Sequence, residues 1–110
     1  MITRYAIFIG KVREGQESGF RDYVETRLAP LWRQFEGASE VRVEYGRDQD
    51  TNGPEIPLML AVTYPDDDAM ARALDSPARY ESRDLLPELY EKYLDAKLFH
   101  YVMHTDKHIP

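Results

Sequence analysis

Three histidines near one end of the chain, His100, His104 and His108, offer the most readily named chemistry. Imidazole titrates near neutral pH, so one well-placed His can pass a proton and a pair can hold a metal ion. A spacing of four brings two rings to one ion when the backbone is helical. The surrounding segment, Leu98 to Thr105, instead reads as a strand. Four positions then span about 13 Å at roughly 3.3 Å per residue. Bonds to zinc of about 2.0–2.1 Å do not close that gap, so no metal site is expected. His100 shares a strand face with Leu98 and Val102. On such an apolar face a neutral imidazole can serve as catalytic acid or base. The competing reading is a hydrogen-bonded structural histidine, and His108 falls in a polar tail and reads as solvated.

Tyr23, Trp32, Tyr45, Tyr64 and Tyr101 form a second group. Their flat apolar rings with one polar end suit a small aromatic ligand held between sheet and helices, or else they fill the core. Arg4, Arg42 and Glu44 are charges within strand patterns. Such residues pair across an interface, lie on solvated edges, or anchor a ligand where they are enclosed. No phosphate-binding loop, dinucleotide fingerprint or Gly-x-Ser-x-Gly turn occurs. The consecutive carboxylates Asp66-Asp67-Asp68 lack the spacing of a calcium loop and read as a helix start. No cofactor is expected.

The elements that must position these residues are set by hydrophobic period. Ile2 to Val12 alternates, with Tyr5, Ile7 and Ile9 on one face and Arg4, Ala6 and Phe8 on the other, a strand apolar on both sides. From Glu17 the spacing of Phe20, Val24, Leu28, Leu31 and Phe35 marks one helical face, flanked by Tyr23 and Trp32. Pro30 should kink that helix or restart it, and Gly37 should cap it. Val41, Val43 and Tyr45 alternate with polar residues in a second strand, and residues 46–57, rich in Asp, Gly, Pro and Asn, read as a loop. Leu58 to Tyr64 predicts a central strand. Asp66 and Ser76-Pro77 each open a helix, the second running to about Asp95 with a break at Pro87. Leu98 to Thr105 predicts the last strand.

At 110 residues the chain fits one domain, 1–110, and its 43% hydrophobic and 12% aromatic content excludes a disordered class. A formal net charge of −6 argues against nucleic acid or an anionic membrane as partner. With no Cys, disulfides, thiolate metal sites and thiol catalysis are excluded. No apolar run approaches the roughly 20 residues of a membrane span, and Met1 to Tyr5 alternates instead of forming a leader, so a cytoplasmic location is expected.

The β-α-β-β-α-β order predicts an α+β, ferredoxin-like domain, a four-stranded antiparallel sheet with both helices on one face. The other face then lacks cover, with Phe8, Met59 and Met103 or Phe99 expected there, and face-to-face pairing into a homodimer would bury it. The strand before Val12, the helix Phe20 to Leu31 and the segment Ala73-Leu74-Asp75-Ser76-Pro77 resemble the EthD-like branch of the dimeric α/β-barrel superfamily. Its Ala-Pro-Leu step matches Ala29-Pro30-Leu31, while Leu28 stands where such sequences often carry His. The resemblance implies a dimeric α/β barrel and a small-molecule enzyme. Cofactor-free oxygenation, cyclisation or isomerisation of an aromatic or polyketide-like compound is the expected chemistry, with His100 as acid–base group. The Leu28 departure implies the alternative, a non-catalytic homodimeric binding protein for a small hydrophobic ligand.

Overall fold

The computed structural model describes residues 1–110. Its strands are β1 (Ile2–Val12), β2 (Glu40–Tyr45), β3 (Leu58–Tyr64) and β4 (Leu94–His104). They form one antiparallel sheet in the order β2-β3-β1-β4, so the two long strands β1 and β4 pair along their whole length. Five short helices cover one face: α1 (Glu17–Tyr23), α2 (Ala29–Trp32), α3 (Asp67–Leu74), α4 (Pro77–Asp84) and α5 (Leu86–Lys92). This is the expected ferredoxin-like α+β arrangement. No helix is long and apolar enough to cross a membrane.

The junction of α1 and α2 shows how one proline shapes the core. Pro30 has no N–H and in a regular helix its ring would meet the carbonyl four residues back. The chain answers with a π-helical turn over Val24–Leu28, where the Ala29 N–H reaches the Val24 carbonyl. The wider turn inserts one residue and rotates the next helical segment about its axis. Trp32 thereby takes the inward position, at 4% exposure, and Leu31 is left half-buried. The expected stripe holds at Phe20, Val24, Leu28 and Phe35, and only at Leu31 does the neighbouring residue, Trp32, take the inward place. The helix stops at Trp32, so Gly37, at φ +81°, serves a later turn instead of the expected cap.

The second helical region is punctuated as its caps predict. The Asp66 carboxylate accepts the Ala69 N–H at 2.8 Å, Ser76 accepts from Arg79, and the helix breaks at Leu85, two residues before Pro87. The Leu85 carbonyl, which also accepts the Leu89 N–H, accepts the Tyr23 hydroxyl at 2.8 Å, tying α1 to that break. Strand β4 begins at Leu94, four residues earlier than expected, because Leu94 and Ala96 pair with Val12 and Gly10. Their close approach needs glycine: a Cβ on Gly10 would lie 2.1 Å from the Asp95 carbonyl oxygen.

Strand parity corrects one expectation. Phe8 does not lie on the uncovered face. It is 1% exposed beneath the helices, packed near Tyr90 with ring centroids 6.3 Å apart. Both faces of β1 are apolar, so alternation alone does not say which one the helices cover. The uncovered face carries Tyr5, Ile7, Met59, Phe99, Tyr101 and Met103; of these, the three on β4 are 44–52% exposed.

Candidate functional site

Between sheet and helices lies a cavity of about 190 Å³. Its floor is apolar, made by Ala6, Phe8, Leu60 and Leu98 of the sheet, and Trp32, Phe35 and Leu86 close it from the helices. The proline-driven shift of α2 is what turns Trp32 toward this space. Polar groups gather on the remaining wall. Arg4 of β1 and His100 of β4 share the helix-covered face: His100 lies opposite Ala6, two positions from Arg4, making the two diagonal neighbours. Arg79 and Arg83 project from α4 at a spacing of four, on one side of that helix, with Ser82 between them.

The electrostatics of the wall are one-signed. None of the cavity-lining residues is acidic. The chain's ion pairs are Arg42–Glu40, Arg47–Asp48, Lys92–Glu88 and Lys107–Glu40, so Arg4, Arg79 and Arg83 have no carboxylate partner. His100 stands at the open side of the cavity, exposed over part of its surface, and its partial burial and then the positive charges of Arg4 and Arg79 hold it below the usual histidine value. It is therefore a neutral imidazole at pH 7, able to accept a proton. Arg4 is itself lowered, by burial first and then by the charge of Arg79.

The residues singled out from sequence fall in different places. His100, Arg4 and Trp32 meet at this cavity. Tyr64 is fully buried on the same sheet face, with its phenol pushed up to about 12 by burial, against the opposing pull of Arg4. It stays protonated, and it does not line the cavity. Tyr23 is spent on the Leu85 carbonyl in the core. Tyr45, on the edge strand β2, lines a different groove, with the Arg21 guanidinium 3.7 Å above its ring. Its hydroxyl is buried without a partner of ordinary hydrogen-bond geometry and is pushed up to about 12, mainly by burial and then by Glu25. Tyr101 points to the uncovered face, and Arg42 pairs with Glu40 on the exposed edge strand at 3.0 Å. Tyr23, Tyr45, Tyr101 and Arg42 thus do not join His100. Glu44 alternates outward beside Arg42. His104 lies four positions beyond His100 on the same extended strand, far along the sheet.

Arg79, Arg83 and Phe35 were not singled out from sequence. Nothing in the linear pattern marks Arg79 and Arg83; only the cavity shows that their side of α4 turns toward His100. A larger groove of about 480 Å³ opens beside Tyr45 and the 46–57 loop. Its Glu17, Glu55, Arg21 and Arg47 mix both signs along a polar surface, a poorer setting for a specific apolar ligand.

A ferredoxin-like α+β domain with a basic, apolar-floored cavity under its helices is the class that fold and site define. Its fold is shared with solved structures at full length. An ethyl tert-butyl ether D (EthD) family protein from Bacillus halodurans superposes with a TM-score of 0.75 at 15% identity, over 96% of this chain and 100% of that one. SnoaB, a cofactor-independent oxygenase from Streptomyces nogalater, gives a TM-score of 0.63 at 22% identity, over 99% and 96%. A DABB family protein with a ferredoxin-like fold from Mesorhizobium loti gives 0.66 at 8% identity, over 96% and 98%. No family model and no curated protein matches the chain by sequence.

Proposed function

We propose that this protein is a small-molecule enzyme that acts on an aromatic or polyketide-like compound without an organic cofactor, working as a homodimer. The observation that carries this reading is the cavity in which a neutral His100 faces an apolar floor beside Arg4 and Trp32. A proton-accepting group set against flat apolar walls is what abstraction from an aromatic hydroxyl or an activated carbon needs. The fold likeness to SnoaB, a cofactor-independent oxygenase, supports oxygenation as the first chemistry to test, ahead of cyclisation or isomerisation. A volume of about 190 Å³ suits roughly a one- or two-ring system.

The test is aerobic turnover of a panel of substituted phenols and hydroxynaphthalenes with no added cofactor, monitored by oxygen uptake and product mass. Turnover that disappears in His100→Ala, with the melting temperature unchanged, is the expected result. Binding of the same compounds without turnover would favour the non-catalytic binding protein instead. Leu28 is fully buried in the core and offers no chemistry of its own.

A further inference from the structure

The charge balance of the cavity is the inverse of the chain's. The protein carries 20 acidic and 14 basic residues, yet three arginines and a histidine line this space and no carboxylate does. Arg4, Arg79 and Arg83 come from two different elements, and none is engaged in an ion pair or a side-chain hydrogen bond within the chain. Arg79 and Arg83 lie over the Tyr80 ring at 5.7 and 5.1 Å, and Arg83 is exposed to water, so the half-buried Arg4 and Arg79 are the pair of like charges that an opposite charge would relieve.

From this we infer that the cavity holds its ligand as an oxyanion: an apolar ring system carrying a phenolate, enolate or carboxylate, with the ring on Phe8, Trp32 and Leu98 and the charge toward Arg4 and Arg79. The inference rests on the enzymatic reading of the same cavity and adds the ionic form of the substrate. For a phenol or a carbon acid the step balances simply. The substrate O–H or C–H bond breaks, the proton passes to the free ring nitrogen of His100, and the electron pair stays on the substrate as the oxyanion. Planar guanidinium groups suit a delocalised or bidentate oxyanion better than an ammonium would. Arg4 and Arg79 are anion-binding residues in this scheme, and Arg83, more exposed, stands at the rim.

Three nitroaromatic probes of similar size test the idea without turnover: 4-nitrophenol, 4-nitrobenzoate and the neutral 4-nitroanisole. Calorimetry gives affinities, and absorbance gives the ionisation of bound 4-nitrophenol. The expected result is that an anionic probe binds about tenfold or more tighter than 4-nitroanisole, and that bound 4-nitrophenol ionises at lower pH than the free compound. A preference for the phenolate or for the carboxylate identifies which oxyanion the site takes, and either supports the inference. Arg79→Gln and Arg4→Gln should each weaken anion binding about tenfold while leaving 4-nitroanisole unchanged, whereas the surface variant Arg33→Gln should change nothing. Equal affinity for charged and neutral probes, no binding of any probe, or an anion preference that survives both variants would overturn it. Because the readout is charge preference, it fails separately from the turnover lost in His100→Ala. Arg79, on the helix surface, provides the variant if Arg4→Gln unfolds.

Discussion

His100 is held neutral by its surroundings, and that fixes the direction of its pH dependence. Its value lies below the ordinary one for histidine because burial and the charges of Arg4 and Arg79 disfavour the imidazolium. The groups facing it across the cavity, Arg4 from β1 and Arg79 and Arg83 from α4, are all cationic. A base with a lowered value stays available through neutral pH and is lost only as pH falls through that lowered value. The acid limb of a pH–rate profile should therefore lie below the ordinary histidine range. Arg79→Gln removes one repelling charge, so the same limb should move to higher pH. A limb that shifts downward, or stays fixed, would show that Arg79 does not act on His100. His100 and Arg4 were visible in the sequence as a His and an Arg on strands. Arg79 was not, since a basic residue in a polar helix carries no mark of what it faces.

At the level of elements, stop and start signals were the most legible part. Asp66, Ser76 and Pro77 opened helices where side-chain caps and a missing N–H dictate. Asp66→Ala should cost about 1 kcal/mol, a fall in melting temperature of about 4 °C or more for a domain of this size. Gly10 should be far less tolerant. Its Cβ would collide with the backbone of β4, so Gly10→Ala should destabilise by about 2 kcal/mol or more, whereas Gly15, open to solvent, should lose about half that or less. Thermal unfolding of the two variants side by side checks the ranking. Less legible was the phase of the first helical region. A period of 3.6 predicts Leu31 as the inward residue, but the π turn that accommodates Pro30 advances the chain by one position and seats Trp32 there. Proline announced a disturbance, but not which of several local solutions the backbone would take.

For the whole molecule, the open sheet face is the apolar surface that no element of the chain covers. Phe99, Tyr101 and Met103 are each about half exposed beside Tyr5, Ile7 and Met59, an apolar patch that an isolated domain rarely leaves in water. Pairing of two such faces is the arrangement we propose for the homodimer. Sedimentation should show a dimer for the unmodified chain and a monomer for the double variant Phe99→Asp, Tyr101→Asp. Both side chains point away from the cavity, so probe binding there should survive unless the dimer is needed to hold the sheet in shape.

Local interactions settle what a linear pattern can express. The sequence by itself determined the order of strands and helices, the proline and cap positions, and the α+β class, because alternation, helical period and missing N–H groups act over a few residues. It also marked His100 as a histidine on an apolar strand face. Tertiary structure alone decided which face of β1 the helices would cover, sending Phe8 inward, and which side of α4 would turn toward His100. Those outcomes depend on packing between elements far apart along the chain. Where both faces of a strand are apolar, or a helix side is merely polar, the local pattern is the same for either choice.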